Sequence, residues 1–503
     1  MRSIPIVLLA ASLLSGPAGA TPVAAARVSL EPGQRAYGQI RFEPCSLQAP
    51  GMPVAVEAQC GTLEVAENRE DPESRRITLG IGWIPVDGIA DPDPVFMLAG
   101  GPGQAAKQAY PMVHAAFRDV RRSRHIILVD ARGTGDSQPL VCRDSEGRAN
   151  LTEGTSEDLD TARDFARRCA ETLGREADLR FYSTGEHIDD LDEVRRALGV
   201  ARINLVGISY GTRVAQQYAK RYPEATRSVV LDSVVPNSLV LGADHAANLQ
   251  QALDTHFERC REDAGCSANI GNPRELLDQV SQTLREGDIA PVSYRDARSG
   301  EWKEATPEFG HLAILLRMYA YSPETATTLP YLLEQAAGGR YAAMLAQAEA
   351  ITGSLTEQIY HGMQLSVSCT EDADELRADP AQDASVLGNQ LVEFTQAQCA
   401  VWPRGSRDPV FREPLTGDLP VLLLSGEFDP VTPPRYGDEV AESLDRARHL
   451  VLPGQGHSVL GLGCAPKLLA QFIEKADPAA LDAACLERLK PLPPFAGPYG
   501  WEP

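Results

Sequence analysis

Short apolar runs that stop on glycine or aspartate recur along this chain, and helical periods fill the intervals between them. "PVFMLAGG" from Pro94, "HIILVDARG" from His125, "INLVG" from Ile203, "SVVLDSVVP" from Ser228 and "LPVLLLSGEFD" from Leu419 are such runs. They hold too few polar residues for one face to meet water. Strands buried on both faces and joined through helices imply a mostly parallel sheet covered on both sides. Between about Asn237 and Glu413 the rhythm changes. "LQQALDTHFERC", "PRELLDQVSQTLREG", "HLAILLRMYA", "LPYLLEQAAGG" and "RYAAMLAQAEAITG" have helical period with no strong strand between them. At 503 residues the chain exceeds one ordinary core. The expectation is an α/β core made of residues 27–236 and 416–503, with a helical block, residues 237–415, inserted into it.

One junction in this pattern carries chemistry. In "NLVGISYGTRVAQQYAKRYP" Ser209 stands between Gly207 and Gly211, after a strand and before a helix. A G-x-S-x-G pentapeptide arises often by chance, but that context is the one a nucleophile needs. A very tight turn lifts the hydroxyl clear of the backbone, and bulky side chains two residues either way would collide. The helix N-terminus beyond it favours developing negative charge. The bland reading is a turn serine flanked by glycines.

A neutral serine is a poor nucleophile and needs a base. His457, in "LPGQGHSVLG", lies on a glycine-rich loop after a strand; His449, which opens that strand, is the nearest rival. The acid that orients the histidine is expected at an earlier strand end. Asp429 in "LLLSGEFDPVTPP" fits, and Asp232 at the end of "VVLD" is the rival. The order Ser209, Asp429, His457 is nucleophile, acid, histidine. Acyl transfer also needs donors for an oxyanion. "LAGGPGQ" supplies one from Gly101, and the backbone N–H of Tyr210 supplies the other. A bare glycine turn is the plain alternative for "GGPG".

Composition narrows the partners. A formal charge of −22 argues against nucleic-acid binding, which requires a basic footprint. The first 20 residues read as an export signal: Arg2, an apolar run from Ile4 to Leu14, then Ala18-Gly19-Ala20 as a small-residue cleavage site, with Ala26 the alternative. The run is too short to span a bilayer, and no later segment looks like a membrane helix. Ten cysteines in an exported chain suggest disulfides. Pairing neighbours is the simplest scheme: Cys45–Cys60, Cys142–Cys169, Cys260–Cys266, Cys369–Cys399 and Cys464–Cys485. No C-x-x-C or His/Cys cluster has metal spacing, so no metal and no organic cofactor is expected.

"AGGPG", "VDARGTGDS", "GISYG", "GEFDPVTP" and "GQGH" together resemble the proline iminopeptidase and tripeptidyl aminopeptidase branch of the α/β-hydrolases. The resemblance runs from about Cys60 to Cys485 and includes a cysteine soon after the histidine. It implies the α/β-hydrolase fold with a helical lid, and a serine exopeptidase acting on peptides with free N-termini. Ala99 stands where proline iminopeptidases usually have histidine, which favours the tripeptidyl type. An exopeptidase must hold the substrate's ammonium, and a buried ammonium needs carboxylates. Glu371 and Asp372, directly after Cys369 in "SCTEDADELRADP", are the candidates, against the reading of a solvated acidic turn. Thr432, on the Asp429 loop, either contacts substrate or closes the turn. A carboxylesterase with the same triad and a catalytically inactive binding protein are the other readings.

Overall fold

The computed structural model describes residues 30–151 and 158–501. The export segment expected at residues 1–20 lies outside them. The main sheet has ten strands in the order β1-β2-β3-β4-β6-β5-β7-β8-β11-β12. These are β1 Arg35–Tyr37, β2 Ile40–Gln48, β3 Ala55–Ala66, β4 Arg76–Ile84, β5 Val95–Leu98, β6 Ile126–Val129, β7 Ile203–Ile208, β8 Thr226–Asp232, β11 Val421–Gly426 and β12 Ala447–Leu452. The first four are antiparallel neighbours, β4 meets β6 antiparallel, and every pairing from β6 to β12 is parallel.

The apolar runs alternate between two cores. Leu205, Val229, Leu231 and Leu423 face one, with the helix Tyr210–Arg221 packed over them through Val214 and Tyr218. Val206, Val230, Leu422 and Leu424 face the other, under Phe472 and Ile473 of the helix Ala465–Lys475. Successive side chains of a strand point to opposite faces. A strand covered on both sides must therefore be apolar throughout, which explains the runs. In the "VDARG" run Arg132 is fully buried. It donates to both carboxylate oxygens of Asp190, at 2.8 and 2.7 Å, and to the carbonyls of Glu67 and Phe181. That clamp fixes the helix Thr184–Ala197 to the sheet.

Between β8 and β11 the chain is mainly helical and has its own apolar cluster, including Leu253, Phe257, Leu277, Leu312, Leu316 and Leu333. It also holds a small hairpin, β9 Val292–Arg295 and β10 Trp302–Ala305, where only helices were expected. The hairpin lies mostly at the surface and has no apolar run to announce it; Trp302 is 73% exposed. Its turn is set by Asp296, whose carboxylate accepts from the backbone of Arg298 and Ser299, and by Gly300 at φ 73°.

All ten cysteines are paired, as Cys45–Cys60, Cys142–Cys169, Cys260–Cys266, Cys369–Cys399 and Cys464–Cys485. Among the described residues no helix is long and apolar enough to cross a membrane.

Candidate active site

Ser209 sits between β7 and the helix Tyr210–Arg221 with φ 56° and ψ −125°. A non-glycine residue there stores on the order of 1–3 kcal/mol of strain. Its N–H donates to the Asp232 carbonyl at 2.8 Å and its carbonyl accepts from Thr212 at 2.8 Å, so the turn is held on both sides. The flanking glycines have a steric cause. A Cβ on Gly207 would enter the Gly211 carbonyl, and a Cβ on Gly211 would enter the Leu98 carbonyl of β5.

His457 follows β12 on a loop held from two directions. Its N–H donates to the Tyr321 carbonyl at 2.8 Å, and the Tyr321 ring meets the imidazole edge to face at 5.0 Å. Below it, Ser458 N donates to Ser233 Oγ at 2.8 Å, and Val459 N and Leu460 N donate to the two oxygens of Asp232 at 2.9 and 3.0 Å. Asp429 Oδ2 lies 2.8 Å from His457 Nδ1. The same oxygen accepts from Thr432 Oγ1 at 2.8 Å, and Oδ1 accepts from Val431 N and Thr432 N at 2.9 and 2.8 Å. Burial alone would raise the Asp429 pKa, but His457 and these bonds hold it below the usual carboxylate range. Burial likewise opposes the imidazolium of His457, yet the Asp429 charge and hydrogen bond, with the Asp232 charge behind them, hold its pKa above the ordinary histidine range.

The rivals are placed elsewhere. His449 has both nitrogens engaged, Nδ1 with Asp438 and Nε2 with Ser425. Asp232 receives the backbone of the His457 loop rather than the imidazole. Burial pushes its pKa up to about 6 despite those bonds.

Ser209 and His457 line one cleft, with no direct hydrogen bond between them among the described residues. Such bonds are often long without substrate and tighten in the complex. The cleft has two lobes that meet at Ser209 and Gly101. The larger, about 390 Å³, is mainly apolar, with Met97, Met112, Val113 and Leu355. The smaller, about 150 Å³, is bounded by Tyr210, Leu239, His245 and Thr432. Three larger hollows, of about 780, 850 and 410 Å³, contain neither Ser209 nor His457. Chemistry rather than size selects the cleft. Gly101 has φ 108°, a conformation suited to glycine, and a Cβ there would strike the Gly103 backbone. The Gly103 carbonyl accepts from Tyr360 N at 2.9 Å, so the inserted helices rest on this loop.

Comparison with known proteins bears on this geometry. A family model described as alpha/beta hydrolase fold matches residues 93–259, and one described as TAP-like protein matches residues 384–485. Together they span more than half of the chain. This chain is an α/β-hydrolase. Serine protease Hip1 of Mycobacterium tuberculosis is 24% identical to it over 467 residues, covering 86% of this chain and 88% of that one. The tripeptidyl aminopeptidase of Streptomyces coelicolor is 24% identical over 475 residues, covering 86% and 84%. Carboxylesterase B of Mycobacterium tuberculosis is 25% identical over 459 residues, covering 80% and 85%.

In this hydrolase the acidic pair expected to anchor an ammonium does not line the cleft. Glu371, 2% exposed, ends the helix His361–Glu371 and turns inward. Its oxygens accept from Thr184 N at 2.6 Å and Thr184 Oγ1 at 2.9 Å, and Thr184 Oγ1 lies 2.6 Å from the Tyr210 hydroxyl. Burial, then the neighbouring Asp372 charge, pushes the Glu371 carboxyl up to about 7. Asp372 pairs with Arg213 at 3.3 Å and Arg412 at 3.0 Å and accepts from Leu241 N at 3.0 Å. Both carboxylates join the inserted helices to the α/β-hydrolase core. The solvated-turn alternative fails too, because neither is exposed.

The sequence reading missed Arg317, His245, Gln364 and Tyr321, all of which line the cleft. For Arg317 a signal existed: it is the one charge in the "AILLRMYA" stretch of the helix Phe309–Tyr319.

Proposed function

We propose that this α/β-hydrolase is an exported serine peptidase with the triad Ser209, Asp429 and His457. His457 takes the Ser209 proton and Ser209 attacks a peptide carbonyl. The Gly101 and Tyr210 N–H groups stabilise the oxyanion, and water activated by His457 releases the acyl group. The carrying observation is the Asp429–His457 hydrogen bond on a loop that faces the same cleft as the strained Ser209. The inserted helices, residues 237–415, serve as a lid over a cleft too small for a folded protein. Removal of short peptides from free N-termini is supported by the tripeptidyl aminopeptidase relative. Five disulfides support export.

A fluorophosphonate probe should label Ser209, and Ser209→Ala should lower kcat on a peptide library by a factor on the order of 10⁶. Loss of labelling at Ser209 with retained turnover would remove the triad. A second reading, a carboxylesterase, is favoured by one observation: no carboxylate lines either lobe among the described residues. Equal cleavage of free and N-acetylated peptides, with faster turnover of aryl esters, would install that reading instead.

A further inference from the structure

The cleft inverts the charge of the molecule that surrounds it. The chain holds 69 acidic and 47 basic residues, yet among the described residues the two lobes are lined by one arginine and no carboxylate. Arg317 lines both lobes, with Ser209, Gly101 and Gln364. It therefore stands at the junction where a scissile carbonyl would sit.

Its surroundings leave its charge unanswered. Its side chain meets the Tyr321 hydroxyl, a neutral partner. His245, across the smaller lobe, cannot supply an anion. Burial, then Arg317 and His457, pushes its pKa down to about 3 and keeps the ring neutral. No Asp or Glu is ion-paired with Arg317 among the described residues, whereas Arg132, Arg213 and Arg412 each have one. The helix Phe309–Tyr319 presents its leucines to the apolar cluster of the inserted helices, and a structural role there would not need a guanidinium. A planar fork of N–H donors beside a nucleophile is suited to a carboxylate.

We propose that Arg317 recognises a carboxylate on the substrate, close to the scissile carbonyl, and so sets the substrate class of the cleft. The inference rests on Ser209 being the nucleophile. The carboxylate has two possible sources: an acidic group on the acyl side, or the free carboxyl end of a short leaving peptide.

Two substrate pairs separate the sources in the full-length, disulfide-bonded protein. The first is 4-nitrophenyl hydrogen glutarate against its methyl ester. The second is tetraalanine against tetraalanine amide. In at least one pair the native protein should prefer the acid by about 10- to 100-fold in kcat/KM, the range for a charge-assisted hydrogen bond. Preference in the first pair places the carboxylate on the acyl side; preference in the second places it on the leaving side. Arg317→Met should bring that ratio close to one, and Arg317→Lys should retain part of it. A circular-dichroism melt and fluorophosphonate labelling establish that each variant is folded with a competent Ser209. The ratio is internal to each variant, so a general loss of activity does not mimic the effect. Ratios near one in both native pairs, or a native preference that Arg317→Met leaves intact, would overturn the proposal while Ser209 labelling stands. Turnover that survives Ser209→Ala would instead overturn the reading beneath it.

Discussion

Asp429 and Asp232 both touch the loop of His457, one at the imidazole and one at the backbone behind it. Asp429→Asn presents the wrong hydrogen-bonding partner to Nδ1, and kcat should fall by roughly 10⁴. Asp232→Asn should act differently. An amide can accept through only one atom, so one of the Val459 and Leu460 N–H groups loses its acceptor, a cost of about 1–3 kcal/mol of stability. The pH profile carries the second signature. His457 works as a base only when neutral, so kcat/KM falls as pH drops through its pKa. That pKa is held above the ordinary histidine value, so the acid limb should lie above pH 6.5. Removing the Asp232 charge removes part of that support, so the limb should move to lower pH. A limb that stays put in Asp232→Asn, measured on a neutral ester, would show that Asp232 acts on the backbone alone. Sequence order favoured Asp429 over Asp232, and the strand-end positions were readable because glycine and aspartate punctuate the apolar runs. Glu371 and Asp372 were not readable in the same way. A nearby cysteine indicates that a carboxylate is fixed in place, but not which way it points. The helix ends between the two residues, and Glu371 turns to Thr184 while Asp372, just past the helix, turns to Arg213.

At the scale of elements, Glu371 links three pieces. It ends the helix His361–Glu371, accepts from the start of the helix Thr184–Ala197, and through Thr184 reaches Tyr210, the first residue after Ser209. Its carboxyl is pushed up to about 7, against about 4.3 for an ordinary glutamate. Over the window from about pH 4.3 to 7 the folded chain holds a proton that the unfolded chain has released, so this group's contribution falls as pH rises. Glu371→Gln abolishes that term. The stability of the variant relative to the native protein should rise from pH 5 to pH 8, by on the order of 1.4 kcal/mol per pH unit within the window. Urea denaturation at the two pH values measures it. A difference that is constant with pH would mean that Glu371 is ionised in the folded state throughout. The strands and helices that carry this network follow from sequence because burial on both faces forces long apolar runs. The hairpin of β9 and β10 does not, because its four-residue strands lie mostly at the surface and its turn chemistry alone marks it.

Across the whole molecule, each disulfide is local, with sequence separations of 6 to 30 residues. None joins the inserted helices to the sheet. Those two layers are held by Arg213 on Asp372, by Thr184 on Glu371, and by His457 N on the Tyr321 carbonyl. Loops of such lengths contribute about 2–4 kcal/mol per bridge in the chain-entropy model. Five such contributions rival the roughly 5–15 kcal/mol net stability of a folded protein, so full reduction should unfold the chain at 37 °C. The order of opening follows access. Cys142, Cys169, Cys260, Cys266, Cys369 and Cys399 are at most 5% exposed, while Cys45, Cys60, Cys464 and Cys485 are only partly buried. Dilute reductant on the native protein, followed by alkylation and peptide mass spectrometry, should mark the last four first. The two early bridges should differ in effect. Cys464 immediately precedes the helix Ala465–Lys475, a short step after the His457 loop, whereas Cys45–Cys60 ties the antiparallel strands β2 and β3. Replacing Cys464 and Cys485 by serine should therefore slow fluorophosphonate labelling of Ser209, and replacing Cys45 and Cys60 should lower stability with little change in labelling. Early alkylation of Cys369 or Cys399 would count against burial as the control. Equal labelling rates in the two paired variants would mean that the His457 loop is positioned by Asp232 and Tyr321 without help from the helix beyond it.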